Sequence, residues 1–132
     1  MIQNLILSLM IYASDITGLP MTKTPTIIQT TQQELQKMDN SYHKGYIYGA
    51  EKNGTIWLTK NFNPDNPRDQ SILLHEIVHV LQDASHKKYS CTGKQEKEAY
   101  DVQQKWLIEH NLNLKKDMNI DPLWLIIITR CN

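Results

Sequence analysis

His75, Glu76 and His79 stand in the order His-Glu-Ile-Val-His, and on an α-helix that spacing can do chemistry. Residues four apart lie one above the other on the same helix face, so His75 and His79 can each aim a ring nitrogen at one cation. Glu76 sits about 100° further round the helix, where it can reach a water on that cation without displacing either imidazole. The flanking residues are Leu, Ile and Val, so the helix is apolar on nearly every side and is expected to be buried. Two histidines and a glutamate in such a helix need partners, because an unsatisfied buried polar group costs on the order of several kcal/mol. A zinc ion would satisfy all three.

Two histidines leave zinc incomplete, since a catalytic site has three protein ligands and keeps a fourth position for water. The third is expected from the next long helix, read over residues 94–110. Ala99, Tyr100, Val102, Trp106 and Leu107 define its buried side; Glu96 lies about 50° from the centre of that stripe and Glu98 about 110° away. Glu96, seventeen residues after His79, is therefore the expected ligand, with Glu98 as the fallback. An oxyanion formed during hydrolysis would need an electrophile besides zinc, and Tyr100, His86 and His110 are the candidates, Tyr100 being preferred. Gln82 lies about 20° from His75 around the helix, close enough to hydrogen-bond a ligand or Gln103.

The positioning elements can be read outward from there. Residues 2–14 carry Leu5, Leu9 and Tyr12 at helical spacing and lack the basic start of a signal peptide, which predicts a packed first helix. Residues 17–20, Thr-Gly-Leu-Pro, stop it. A strand is expected over 24–30, then a short helix from a Thr31–Glu34 capping box through Met38. Aromatic and β-branched runs at 46–52 and 55–59, joined by Asn53-Gly54, form a hairpin signal. Residues 61–67 read as loop and deliver the chain to a helix start near Asp69 or Ser71, with an end near Ser85. Residues 111–119 read as polar loop, and Asp121-Pro122 opens a last short helix over 123–129, although Ile126 to Ile128 would also suit a strand.

The length of 132 residues suits one domain, 1–132, with one modest core. Lys plus Arg equals Asp plus Glu at 14 each, which leaves no nucleic-acid or anionic-membrane footprint. No apolar run approaches the ~20 residues that span a bilayer. Cys91 and Cys131 lack the CxxC spacing of a zinc site; a disulfide tying the tail to the site, in an exported rather than a cytoplasmic protein, is the favoured reading. The fold class expected is α+β: an N-terminal helix, a short antiparallel sheet of about three strands, the HExxH helix and a glutamate-bearing helix packed against it.

His75, Glu76 and His79, followed by Glu96-Lys97-Glu98-Ala99 on a later helix, resemble the gluzincin class of zinc metallopeptidases, particularly its minimal single-domain members. In several such families the third ligand is a Glu three residues before an Ala, the position Glu96 holds. Many place Asp directly after that Ala to brace a histidine; Tyr100 stands there in this chain, which leaves the bracing role open. The chain is also similar to small uncharacterised bacterial proteins with HExxHxLQ, a Cys, then ExEAYxxQ and a downstream Trp, places held by Gln82, Cys91, Tyr100, Gln103 and Trp106. These motifs cover about residues 70–107. The resemblance implies a zincin-like domain, Zn2+ as cofactor, and hydrolysis of a peptide or protein substrate with Glu76 as the base. It also implies a sheet edge beside the zinc helix that receives extended substrate, for which residues 55–59 are nearest in sequence. The rival is a non-catalytic zinc-binding or partner-binding protein on the same scaffold; Glu76 favours the enzyme, because metal binding alone needs no base.

Overall fold

Helix α3 (Pro67–Ser85) is the element that the rest of the chain covers, in a computed structural model that describes residues 2–38 and 46–132. Ile72, Leu73, Leu74, Ile77, Val78, Val80 and Leu81 are all buried, as are His75, Glu76 and Gln82, so the helix has almost no solvent face. It starts earlier than Asp69 or Ser71. Asn66 is the N-cap, its side chain accepting from the backbone N–H of Arg68 at 2.8 Å and of Asp69 at 3.4 Å, and Pro67 occupies the first turn, where a missing donor costs nothing. The end falls at Ser85 as expected, with His86 turning left-handed (φ 56°).

Three bodies enclose α3. Helix α1 (Ile2–Thr17) lays Ile6, Leu9, Met10 and Ala13 against it and stops where Gly18 takes φ 74°. Helix α4 (Thr92–Glu109) packs along it, burying Ala99, Val102, Gln103 and Leu107. The third body is a sheet of three strands, β1 (Thr26–Thr30), β2 (Gly49–Lys52) and β3 (Thr55–Thr59), in the order β1-β3-β2.

The molecule is a small α+β fold with a three-stranded sheet, and the sheet is mixed where an antiparallel one was expected. β2 and β3 form the anticipated antiparallel hairpin, with Asn53 at φ 53° and Gly54 at φ 82° in its turn, but β1 pairs with β3 in parallel. Helix α2 (Gln32–Met38), capped by the Thr31 side chain, follows β1 directly, and Gln32 makes two hydrogen bonds to the backbone of Ile47 just before β2. The chain thus enters β2 from the end of the sheet where β1 finished. The hairpin then sends β3 forward beside β1.

Beyond α4, Asn113 caps a single helical turn, α5 (Leu114–Asp117), inside the stretch read as polar loop. The last element, α6 (Pro122–Ile128), is a helix and not a strand, with Asp121 as N-cap. A disulfide joins Cys91 to Cys131, so the tail after α6 is bonded to the residue that precedes α4. Gly93 fits beneath that tail: a Cβ there would stand 2.2 Å from the carbonyl oxygen of Arg130. Among the described residues, no helix is long and apolar enough to cross a membrane.

Candidate metal centre

Successive turns of α3 carry His75 and His79, their ring centroids 5.0 Å apart, and the first turns of α4 bring Glu96 over both. One oxygen of Glu96 lies 3.1 Å from Nε2 of His75 and 3.3 Å from Nε2 of His79. The three residues each offer one ligand atom, and these atoms lie within 4.8 Å of one another. Two imidazole nitrogens and a carboxylate oxygen from two helices are a donor set that suits a divalent cation, and the triad could hold one.

The electrostatics call for positive charge at this point. Burial alone would lower the pKa of His79, but the hydrogen bond and charge of Glu96, with the charge of Glu76, outweigh it and raise the pKa to about 10. Burial likewise works against the charge of Glu96, and the hydrogen bonds from His75 and His79 overcome it, holding this carboxyl well below the usual carboxylate range. Either a proton on His79 or a metal ion between the donors meets that demand.

Each ring is gripped from behind. Nδ1 of His75 lies 2.9 Å from the amide oxygen of Gln103, and Nδ1 of His79 lies 2.8 Å from that of Gln82. Glu98, the fallback ligand, stands one step back: it accepts a hydrogen bond from Gln82 at 3.0 Å and another from the Tyr89 hydroxyl at 2.5 Å, with Lys87 3.9 Å away. Gln103 in turn donates to Ser71 at 3.2 Å. Gln82 was legible as a partner of a ligand; the parts of Glu98, Tyr89 and Ser71 were not, since the spacing of residues along one helix does not say which side chains meet behind the histidines.

Glu76 is buried beside the sheet. A Cβ added at Gly49, on β2, would meet its Cγ at 3.3 Å, so the absence of a side chain at Gly49 leaves the room that Glu76 occupies. Burial pushes the Glu76 carboxyl pKa up, the positive charges of His75 and His79 pull it down, and Glu96 adds to the rise. Among the described residues, β2 is the edge strand that packs against α3, whereas residues 55–59 form the central strand β3, hydrogen-bonded on both sides. That corrects the choice of 55–59 as the strand open to substrate. Ile56 and Leu58 of β3 are the buried residues, and Trp57 alternates with them on the opposite side of the strand.

The tyrosine preferred as electrophile is at the site: the ring of Tyr100 meets that of His75 edge-on, centroids 4.4 Å apart, and Trp124 of α6 meets Tyr100 in the same way at 6.3 Å. The two histidine alternatives are engaged elsewhere. His110 stacks on Trp106 and bonds its carbonyl at 2.7 Å, and His86 is an exposed cap at the end of α3.

Residues 4–132 match a family described as Domain of unknown function (DUF6647). No curated protein and no solved structure matches the chain.

Proposed function

Because the chain belongs to the DUF6647 family, whose description assigns no activity, we propose from the site itself that the protein is a zinc-dependent metallopeptidase. The observation that carries this reading is the meeting of His75, His79 and Glu96 beside a buried Glu76. Donors about 2.0–2.1 Å from a tetrahedral zinc stand roughly 3.3–3.4 Å apart. The spacings from Glu96 to the two rings, 3.1 and 3.3 Å, are close to that edge length.

Zinc held by the triad would lower the pKa of a water to about 7 and polarise the carbonyl of a peptide. The chain's own residues do the rest. Glu76 takes a proton from the attacking water as its oxygen bonds to the carbonyl carbon, and returns that proton to the amine nitrogen as the C–N bond breaks. Its buried position raises its proton affinity, which suits a group that must accept a proton and then give it up. Tyr100, packed on His75, is the side chain we assign to the developing oxyanion, donating from its phenol. Glu96 supplies a negative charge that keeps both imidazoles turned toward the site.

Cleavage of a peptide library by the zinc-loaded native chain and by Glu76→Gln tests the proposal. The expected result is cleavage by the native chain alone, with zinc retained in both. If the zinc-loaded native chain cleaves nothing, the protein is a non-catalytic metal-binding member of the same fold; equal cleavage by the two chains removes Glu76 as the base.

A further inference from the structure

The hydrogen-bond network behind the histidines has a direction, set by which of its groups can only accept. The amide nitrogen of Gln82 lies 3.0 Å from the carbonyl oxygen of Gln95 and 3.0 Å from a carboxylate oxygen of Glu98. Both are acceptors only, so that end of the amide must be the NH2 group and the end toward His79 must be the oxygen. An amide oxygen cannot donate. Nδ1 of His79 therefore carries a hydrogen, and in the neutral ring Nε2 is left bare, facing Glu96.

The same logic holds for the other ring through a different set of atoms. The hydroxyl of Ser71 gives its only hydrogen to the carbonyl of Arg68 at 2.7 Å, so toward Gln103 it can only accept. Gln103 thus points its NH2 at Ser71 and its oxygen at Nδ1 of His75. Two independent chains, Glu98–Gln82–His79 and Ser71–Gln103–His75, fix the hydrogen on each Nδ1, so that each ring, once neutral, aims an Nε2 lone pair at the same point.

We infer that Gln82 with Glu98, and Gln103 with Ser71, are positioning residues that fix both histidines in the metal-ligating tautomer, the role left open by Tyr100 at the position after Ala99. The two arms differ in strength. Glu98 is a carboxylate that also accepts from Tyr89, and it polarises the Gln82 amide; Ser71 is neutral and fully buried. The Glu98 arm therefore contributes more to metal affinity.

The inference rests on the metal reading of the triad, and its test separates the two. Zinc affinity is measured by competition with a chromophoric chelator for the native chain, Gln82→Met, Glu98→Gln and Ser71→Ala. The Nδ1–H protons of His75 and His79 are followed by proton NMR in the zinc-loaded forms, and metal-free melting temperatures report folding. Glu98→Gln is the decisive variant, because it touches neither the metal nor a histidine. An amide at 98 can present its own NH2 to Gln82, which leaves the Gln95 carbonyl alone to hold the Gln82 amide and loosens the grip on the His79 Nδ1–H.

The expected result is zinc binding weakened roughly 10- to 100-fold in Gln82→Met and Glu98→Gln, and less in Ser71→Ala. The His79 Nδ1–H signal should be lost or broadened in the first two variants, with the melting temperature of Glu98→Gln little changed and that of Gln82→Met lowered, since Gln82 is buried and its partners lose their hydrogen bonds. Native affinity and an unchanged signal in a folded Glu98→Gln would overturn the inference while leaving the metal reading intact. Absence of zinc binding by the native chain would remove both.

Discussion

His79 and Glu96 hold each other's charge, and a metal ion has to compete with that arrangement. With His79 raised to about 10, the stabilisation from its proton is complete below its ordinary pKa of about 6.5 and drains away as pH rises toward the higher value. The carboxyl of Glu96 is held low, so its share is present above about pH 4.3 and is lost as pH falls through its depressed pKa. The metal-free protein should therefore melt highest between about pH 4.5 and 6.5, and progressively lower from pH 6.5 to 9, as scanning calorimetry in chelator would show. Zinc binding at the proposed site would have to displace the His79 proton. Titration calorimetry at pH 7.5 in buffers of different ionisation enthalpy should report release of close to one proton per zinc from this site, and affinity should rise with pH. His75, Glu76 and His79 were legible because helical periodicity alone puts them on adjacent stripes. Glu96 could be ranked over Glu98 by its angle to the apolar stripe of its own helix. The place of Glu98 could not be read, because it depends on Gln82 and Tyr89 reaching across from outside that helix, and a helical angle says nothing about what stands opposite.

At the scale of elements, the site depends on two close approaches. Gly49 lets β2 come down onto Glu76, with Leu58 and Ile72 also 3.3–3.4 Å from where a Cβ would sit. If the protein is the proposed metallopeptidase, Gly49→Ala should leave zinc binding near native while reducing turnover at least several-fold, because the added methyl crowds Glu76 and not the His75–His79–Glu96 triad; steady-state kinetics beside metal analysis would separate the two effects. Gly93 lets the tail lie against the start of α4, and there the obstacle is backbone. Gly93→Ala should lower stability by on the order of 2–3 kcal/mol, in the range of overpacking mutations, measured by urea denaturation. The hairpin was readable from Asn53-Gly54, and α6 from Asp121-Pro122, since both are local signals. The parallel pairing of β1 was not, as strand direction is decided by where the connection re-enters the sheet. The start of α3 was placed late because Asn66-Pro67 looked like part of a Pro-rich loop, although together they are the cap and first turn.

Over the whole molecule, a central apolar helix is enclosed by α1, α4 and the sheet, and the chain behind α4 is closed by Cys91–Cys131 across 40 residues. A loop of that length restrains the unfolded chain by about 4 kcal/mol in the chain-entropy account. Reduction, or Cys91→Ser with Cys131→Ser, should accordingly lower the melting temperature by on the order of 10 °C. The pairing was legible because the chain has two cysteines and they lack the spacing of a zinc site. That the bond anchors α6, whose Trp124 rests on Tyr100 beside His75, lay beyond sequence, since no periodicity links residues so far apart.

The central claim is that His75, His79 and Glu96 together hold one metal ion, and metal analysis of the native chain and of Glu96→Ala after zinc loading and gel filtration tests it most directly. The account predicts one zinc per native chain and loss of that zinc in a folded Glu96→Ala. A native chain without zinc, or a Glu96→Ala chain that keeps it at the same stoichiometry and affinity, would contradict it.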